Sequence, residues 1–145
     1  MPFFTEPDEA LDYLYHLLND NKGELGLRYV GYSDERLLPE YPAVVVSYAT
    51  PVEREIYATR QFRLGWDIQL VVYHARMTAT HKERTREDMQ LAAAVRNKLH
   101  EDKTLGGSVI FGFVRSERPG IIADEQGQAT IGTMLIWSAE SRDIF

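Results

Sequence analysis

The stretch EREIYATRQFRLGWDIQLVVYHA, Glu53 to Ala75, contains no proline and a single glycine, Gly65. Ile56, Ala58, Phe62, Leu64, Trp66, Ile68, Leu70 and Val72 share one parity, interrupted by Arg60. Glu55, Tyr57, Thr59, Gln61, Arg63, Asp67, Gln69, Val71 and Tyr73 fill the other. Period-two alternation is the pattern of extended chain with one buried side. Extended at about 3.3 Å per residue, the segment reaches ~76 Å. A compact domain of this length is only roughly 38 Å across. The segment must therefore fold back near Leu64-Gly65 as a long hairpin, or bend so that part of it projects. The edges of such a ribbon need cover or a partner.

Working outward, a helix precedes this segment. Ala10, Tyr13, Leu14, Leu17 and Leu18 recur at i, i+3, i+4, i+7 and i+8, one stripe of a 3.6-residue period. Thr5 reads as its N-cap with Asp8 three residues on, Pro7 fits the first turn and Gly23 the stop, giving a helix over 6–21. Leu27 to Ser33 reads as a short strand. Tyr41 to Tyr48 is a continuous β-branched run of the kind that strands buried on both faces show, with Pro42 marking a start or an edge.

On the other side, Thr80 and Glu83 form a capping box. Leu91, Val95 and Leu99 then mark a second helix over 81–101. Asp102-Lys103-Thr104-Leu105-Gly106-Gly107 closes it. Ser108 to Glu117 alternates as a strand, Pro119-Gly120 reads as a turn, and Asp124-Glu125-Gln126-Gly127 as a polar tip. Ala129 to Trp137 is the partner strand, Ile121 and Ile122 are possible extensions of the first, and Glu140 to Phe145 reads as a polar tail. This order predicts one α+β domain over 1–145. Two helices pack on one face of a mixed, mostly antiparallel sheet, with a long projecting β-hairpin or extended strand.

Composition narrows the chemistry. The chain has 145 residues, net charge −6 and no cysteine, which leaves no disulfide, thiolate metal site or cysteine nucleophile. Its 44% hydrophobic content is that of a globular protein and not of a disordered one. Apolar runs such as Ala43 to Val46 are far short of the ~20 residues of a spanning helix. The acidic N-terminus does not read as a secretion signal. The acidic balance disfavours docking on duplex phosphates.

Motifs for catalysis are weak. His16, His74, His81 and His100 are the only histidines, and no pair has the i, i+4 spacing of a zinc helix. His74 and His81 read as a chance pair. Gly106-Gly107-Ser108 lacks the rest of a nucleophile elbow, and no phosphate-binding glycine loop is present. Neither a catalytic set nor a cofactor or metal site is expected.

Arginines interleaved with aromatics are the stronger signal. That composition suits single-stranded nucleic acid or the centre of a protein interface. Glu53, Glu55 and Asp67 among them favour charge pairing between subunits. The expected interface residues are Arg54, Tyr57, Arg60, Phe62, Arg63, Trp66, Arg84 and Arg86.

Helix 6–21, the Tyr41-Pro42-Ala43-Val44-Val45-Val46 strand, the Arg60-to-His74 strand with Trp66-Asp67-Ile68-Gln69-Leu70-Val71-Val72-Tyr73-His74, the helix ending Leu99-His100-Glu101-Asp102-Lys103-Thr104-Leu105-Gly106-Gly107, and a last strand with Trp137 follow in order. Together they resemble the tail terminator proteins of long-tailed bacteriophages, over nearly the whole chain. The resemblance implies a small, non-enzymatic α+β virion protein, assembled in the bacterial cytoplasm as a homo-oligomeric ring, expected to be a hexamer. Such a ring caps the tail-tube protein, stops its polymerisation, and meets the head connector or neck protein. Genomic DNA passes through its lumen without sequence-specific binding, and no membrane is involved. The family offers no short site motif to map onto these residues. A neck or head-completion protein, or a small-molecule-binding α+β domain, are the alternative readings.

Overall fold

The computed structural model describes residues 3–4, 6–32, 40–49, 53–58, 61–76, 85–123 and 129–144. In chain order the elements are α1 (Pro7–Asp20), α2 (Lys22–Leu25), β1 (Tyr29–Tyr32), β2 (Ala43–Ala49), β3 (Glu53–Ala58), β4 (Gln61–Arg76), α3 (Thr85–His100), β5 (Phe111–Ala123) and β6 (Ala129–Ile144). The six strands form one sheet in the order β1-β2-β4-β6-β5, with β3 pairing to β4. Among the described strands β1 and β2 run parallel and the other pairs are antiparallel. The α+β class and the mixed, mostly antiparallel sheet are as the sequence predicts. A third helix, the single turn α2, is added.

The segment that dominates the sequence does fold back, but not at Leu64-Gly65. Ala58 pairs with Gln61 and Glu53 with Gly65, so the two arms of the hairpin are β3, ending at Ala58, and β4, beginning at Gln61. Gly65 lies inside β4, between Glu53 of β3 and Glu140 of β6. On that side β3 lines the first part of β4, and β2 lines the rest through Ala43↔Tyr73 to Ala49↔Ile68. On the other side β6 pairs from Gln61↔Ile144 to Arg76↔Thr130. Both edges of β4 are thus occupied. Projection of the hairpin beyond the body is not established by the described residues.

One parity of β4 faces the helices. Leu64, Trp66, Ile68, Leu70 and Val72 form the core with Ala10, Leu14 and Leu18 of α1, Val95 and Leu99 of α3, and Leu135 and Trp137 of β6. Leu70 sits opposite Leu135, and Ile68 opposite Trp137. Each such fully buried side chain contributes about 1.5–3 kcal/mol relative to exposure. The interior strand β2 is buried on both faces, Val44, Val45 and Val46 alike, as its unbroken β-branched run predicts.

Local chemistry sets the helix ends. The Glu6 N–H donates to Glu9 Oε1 at 3.3 Å, and Pro7 occupies the first turn. The N-cap of α1 is thus Glu6, in a capping box with Glu9, and not the expected Thr5; the expected capping box at Thr80 lies outside the described residues. Gly23 does not stop α1, whose C-cap is Asn21; it falls inside α2, which ends on Gly26 at φ +77°, a conformation that favours glycine. After α3, the Asp102 carboxylate accepts from the Gly106 N–H at 2.7 Å, the Thr104 hydroxyl at 3.1 Å and the Tyr13 hydroxyl at 3.2 Å. Burial works to raise the Asp102 pKa, and these donors more than offset it, so the carboxyl titrates below its usual range. The same turn places Leu105 at φ 49° and fully buried. Core burial there offsets a left-handed backbone that leucine disfavours.

Two expectations at the C-terminal end are corrected. Pro119-Gly120 is not a turn but mid-strand, opposite Thr133 and Gly132. β5 ends the sheet order, and an edge strand tolerates a residue without an N–H. Glu140 to Ile144 is not a tail but the end of β6, paired with Gln61–Gly65.

Gly112 of β5 stands against the indole of the fully buried Trp137, and a Cβ there would collide with the ring. Gly120 on the same strand has no heavy atom within 4 Å of such a Cβ. Gly112→Ala is expected to cost roughly 1–3 kcal/mol by overpacking, and Gly120→Ala less than about 0.5 kcal/mol. Thermal melts of both variants check this; equal melting points would contradict it.

Candidate functional site

Large apolar side chains reach solvent on two strands at the margins of the sheet, β3 and β5. Ile56 on β3 is 77% exposed. On β5, Phe111, Phe113 and Ile121 are 44%, 37% and 62% exposed. Phe111 and Phe113 lie side by side, ring centroids 5.4 Å apart, with Lys103 Nζ 5.8 Å from the Phe111 ring. They share the sheet face that turns away from the helices. Next to them Arg115 Nη2 pairs with Asp67 Oδ2 at 2.8 Å, and the Ser138 hydroxyl donates to Asp67 Oδ1 at 2.6 Å. Arg63 Nε pairs with Glu140 Oε1 at 2.8 Å. These part-exposed pairs are worth under about 1 kcal/mol each. They give the face mixed signs more than they give it stability.

Of the expected interface residues, three have described side chains, Arg63, Trp66 and Arg86, and these three are not brought together. The backbones of Arg54, Tyr57 and Phe62 lie in β3 and the start of β4; their side chains, and the whole of Arg60 and Arg84, lie outside the described residues. Arg63 is beside them on β4, tied to Glu140. Trp66 is 3% exposed within the core, so it offers no surface; its parity puts it under the helices. Arg86 is exposed on the first turn of α3.

A pocket of about 310 Å³ opens where α3 begins and the β5–β6 ribbon runs on past it. Met89, Ile121 and Ile131 wall it, and His74, Asp88 and Thr133 are its polar groups. All three polar residues are more than nine-tenths buried. His74 Nε2 lies 2.9 Å from Thr133 Oγ1, and His74 Nδ1 lies 3.8 Å from Asp88 Oδ1. The order acid–imidazole–hydroxyl resembles a nucleophilic triad. The acid stands beyond hydrogen-bond reach, however, and the hydroxyl is held inside a paired strand. The arrangement is better suited to fixing the pocket floor than to attacking a substrate. Among the described residues no group of three or more metal-ligating side chains converges.

Sequence reasoning treated His74 as one of a chance pair and passed over Asp88 and Thr133. One signal was present: Asp88, Ala92, Val95 and Leu99 follow the i, i+4, i+7, i+11 spacing of a buried helical face. Asp88 is therefore the charge in that acidic first turn that faces inward.

Thr133→Val removes the hydroxyl from His74 and is expected to destabilise by about 1–3 kcal/mol. The fully buried Thr130 has no hydrogen-bond partner for its hydroxyl among the described residues, so Thr130→Val is expected to be neutral or stabilising. Urea titrations of the two variants compare them, and the reverse order would contradict the assignment.

His100 accepts the Val114 N–H on Nε2 at 2.8 Å and is therefore neutral. Burial, then Lys103 and Arg96, hold its pKa below the usual histidine range. The unfolded chain then binds the proton more readily, so this contribution is present above about pH 6.5 and is lost as pH falls below it, toward the lowered folded value. His100→Gln keeps an acceptor without a titration. Its stability curve is expected to lack that acid-side step, whereas parallel curves for the two proteins would contradict it.

No protein-family model matches the chain, and no curated protein matches it.

Proposed function

We propose that this chain is a ring-forming structural protein of a long-tailed bacteriophage, a tail terminator. It caps the tail tube, ends its polymerisation and joins the tail to the head connector, leaving a channel for DNA. The observation that carries this reading is the pair of unlike apolar edges, Ile56 on β3 and Phe111, Phe113 and Ile121 on β5. Ring closure uses heterologous contacts, in which one patch meets a different patch on the next copy. Exposed apolar side chains beside mixed charges suit such contacts. The ordered resemblance along the sequence supplies the identity of the ring. An acidic chain, net −6, also suits a lumen through which DNA slides, since clustered positive charge would grip phosphates.

The pocket at His74 favours a second reading, a small-molecule-binding α+β domain. The two are separated by function. Added to polymerising tail-tube protein, the chain is expected to arrest growth and remain on one tube end. Unimpeded growth, with binding to the portal-side adaptor, would assign it to head completion instead. Melting-point shifts with a metabolite and no effect on tube growth would favour the small-molecule reading.

A further inference from the structure

Resting on the ring reading, we propose that the His74 pocket is the socket for the β3 edge of a second copy of this chain, with Ile56 entering it. The socket is about 310 Å³, some ten times the ~30 Å³ share of a water in the liquid. It is therefore large enough for a branched aliphatic side chain and its neighbours. Its rim carries Met89 and Ile121, both well exposed, and a hole ringed by exposed hydrophobics is the form an interface anchor site takes. Met89 is unbranched and can adapt to what enters. The floor is fixed by the buried His74 and Thr133, so an entering group meets a preformed shape and little ordering cost.

The knob is equally specific. Ile56 is the most exposed large hydrophobic among the described residues, on a strand whose outer edge has no described partner. The flanking charges are complementary: Glu55 beside Ile56 and Arg86 ahead of Asp88 are both exposed and opposite in sign, which fixes register more than affinity.

Knob and socket cannot meet within one molecule. Ile56 is level with Phe62 of β4. Ile121 is level with Ile131, which pairs with Ala75. The two positions lie on opposite edges of the sheet and about 43 Å apart along it at ~3.3 Å per residue. The contact is therefore between copies and heterologous, the type that closes rings.

The chain has no cysteine, so Ile56→Cys and Ile121→Cys, singly and combined, give a clean test. Under oxidised glutathione the double variant is expected to form a ladder of disulfide-linked multiples of 16.7 kDa, and each single variant none. Ile56→Asp is expected to weaken assembly at least tenfold while leaving the melting point of the monomer unchanged. A wild-type ring with no ladder from the double variant would overturn the docking and leave the ring reading standing. A ladder stopping at dimers from either single variant would overturn it in favour of a two-fold contact. A wild-type protein that stays monomeric, even with tail-tube protein, would overturn both. A ring indifferent to Ile56→Asp, with a small molecule bound in the pocket, would also overturn the docking.

Discussion

The strand Gln61–Arg76 is constrained on three sides at once. Its even residues from Leu64 to Val72 are buried beneath α1 and α3, one edge is held by β2 and β3, and the other by β6 along its whole length. A slip of one residue would turn Leu64, Trp66, Ile68, Leu70 and Val72 out of the core together. The helices, the parallel pair β1–β2 and the long β5–β6 ribbon all take their positions from that register.

Satisfying the centre so completely moves what is unsatisfied to the periphery. β3 has an outer edge with no described partner, and β5 ends the sheet order. Both carry large apolar side chains in solvent. The pocket lies at the same margin, where Asp88 and Met89 at the start of α3 face Ile121 and Ile131 of the ribbon. A molecule with a closed interior and open, unlike corners is suited to association with its own kind. This is the physical content of the proposed ring.

What could be read in the sequence was local. The alternation through 64–72 and the stripe Ala10, Leu14 and Leu18 depend only on near neighbours, and they place the core correctly. Features decided by partners far along the chain were harder. A fold-back was expected near Leu64-Gly65 because glycine is the conspicuous breaker, yet Gly65 is paired within β4 and the arms already meet at Ala58 and Gln61. Pro119-Gly120 has the composition of a turn, but an edge strand accommodates it. Glu140–Ile144 is polar because one face of β6 is wet there, while Ser141 on the other face is fully buried and donates to the Phe4 carbonyl. The His74 pocket joins positions 74, 88 and 133, and only the helical phase of Asp88 hinted at it. Trp66 was expected at an interface from its residue type, although its own parity already placed it inside.

The claim at the centre of this account is that the chain is completed by copies of itself. Native mass spectrometry of the full-length protein, alone and with tail-tube protein, tests it most directly. The account predicts a discrete assembly, about 100 kDa for six copies of a 16.7 kDa chain. A single species at the monomer mass under every condition would contradict it.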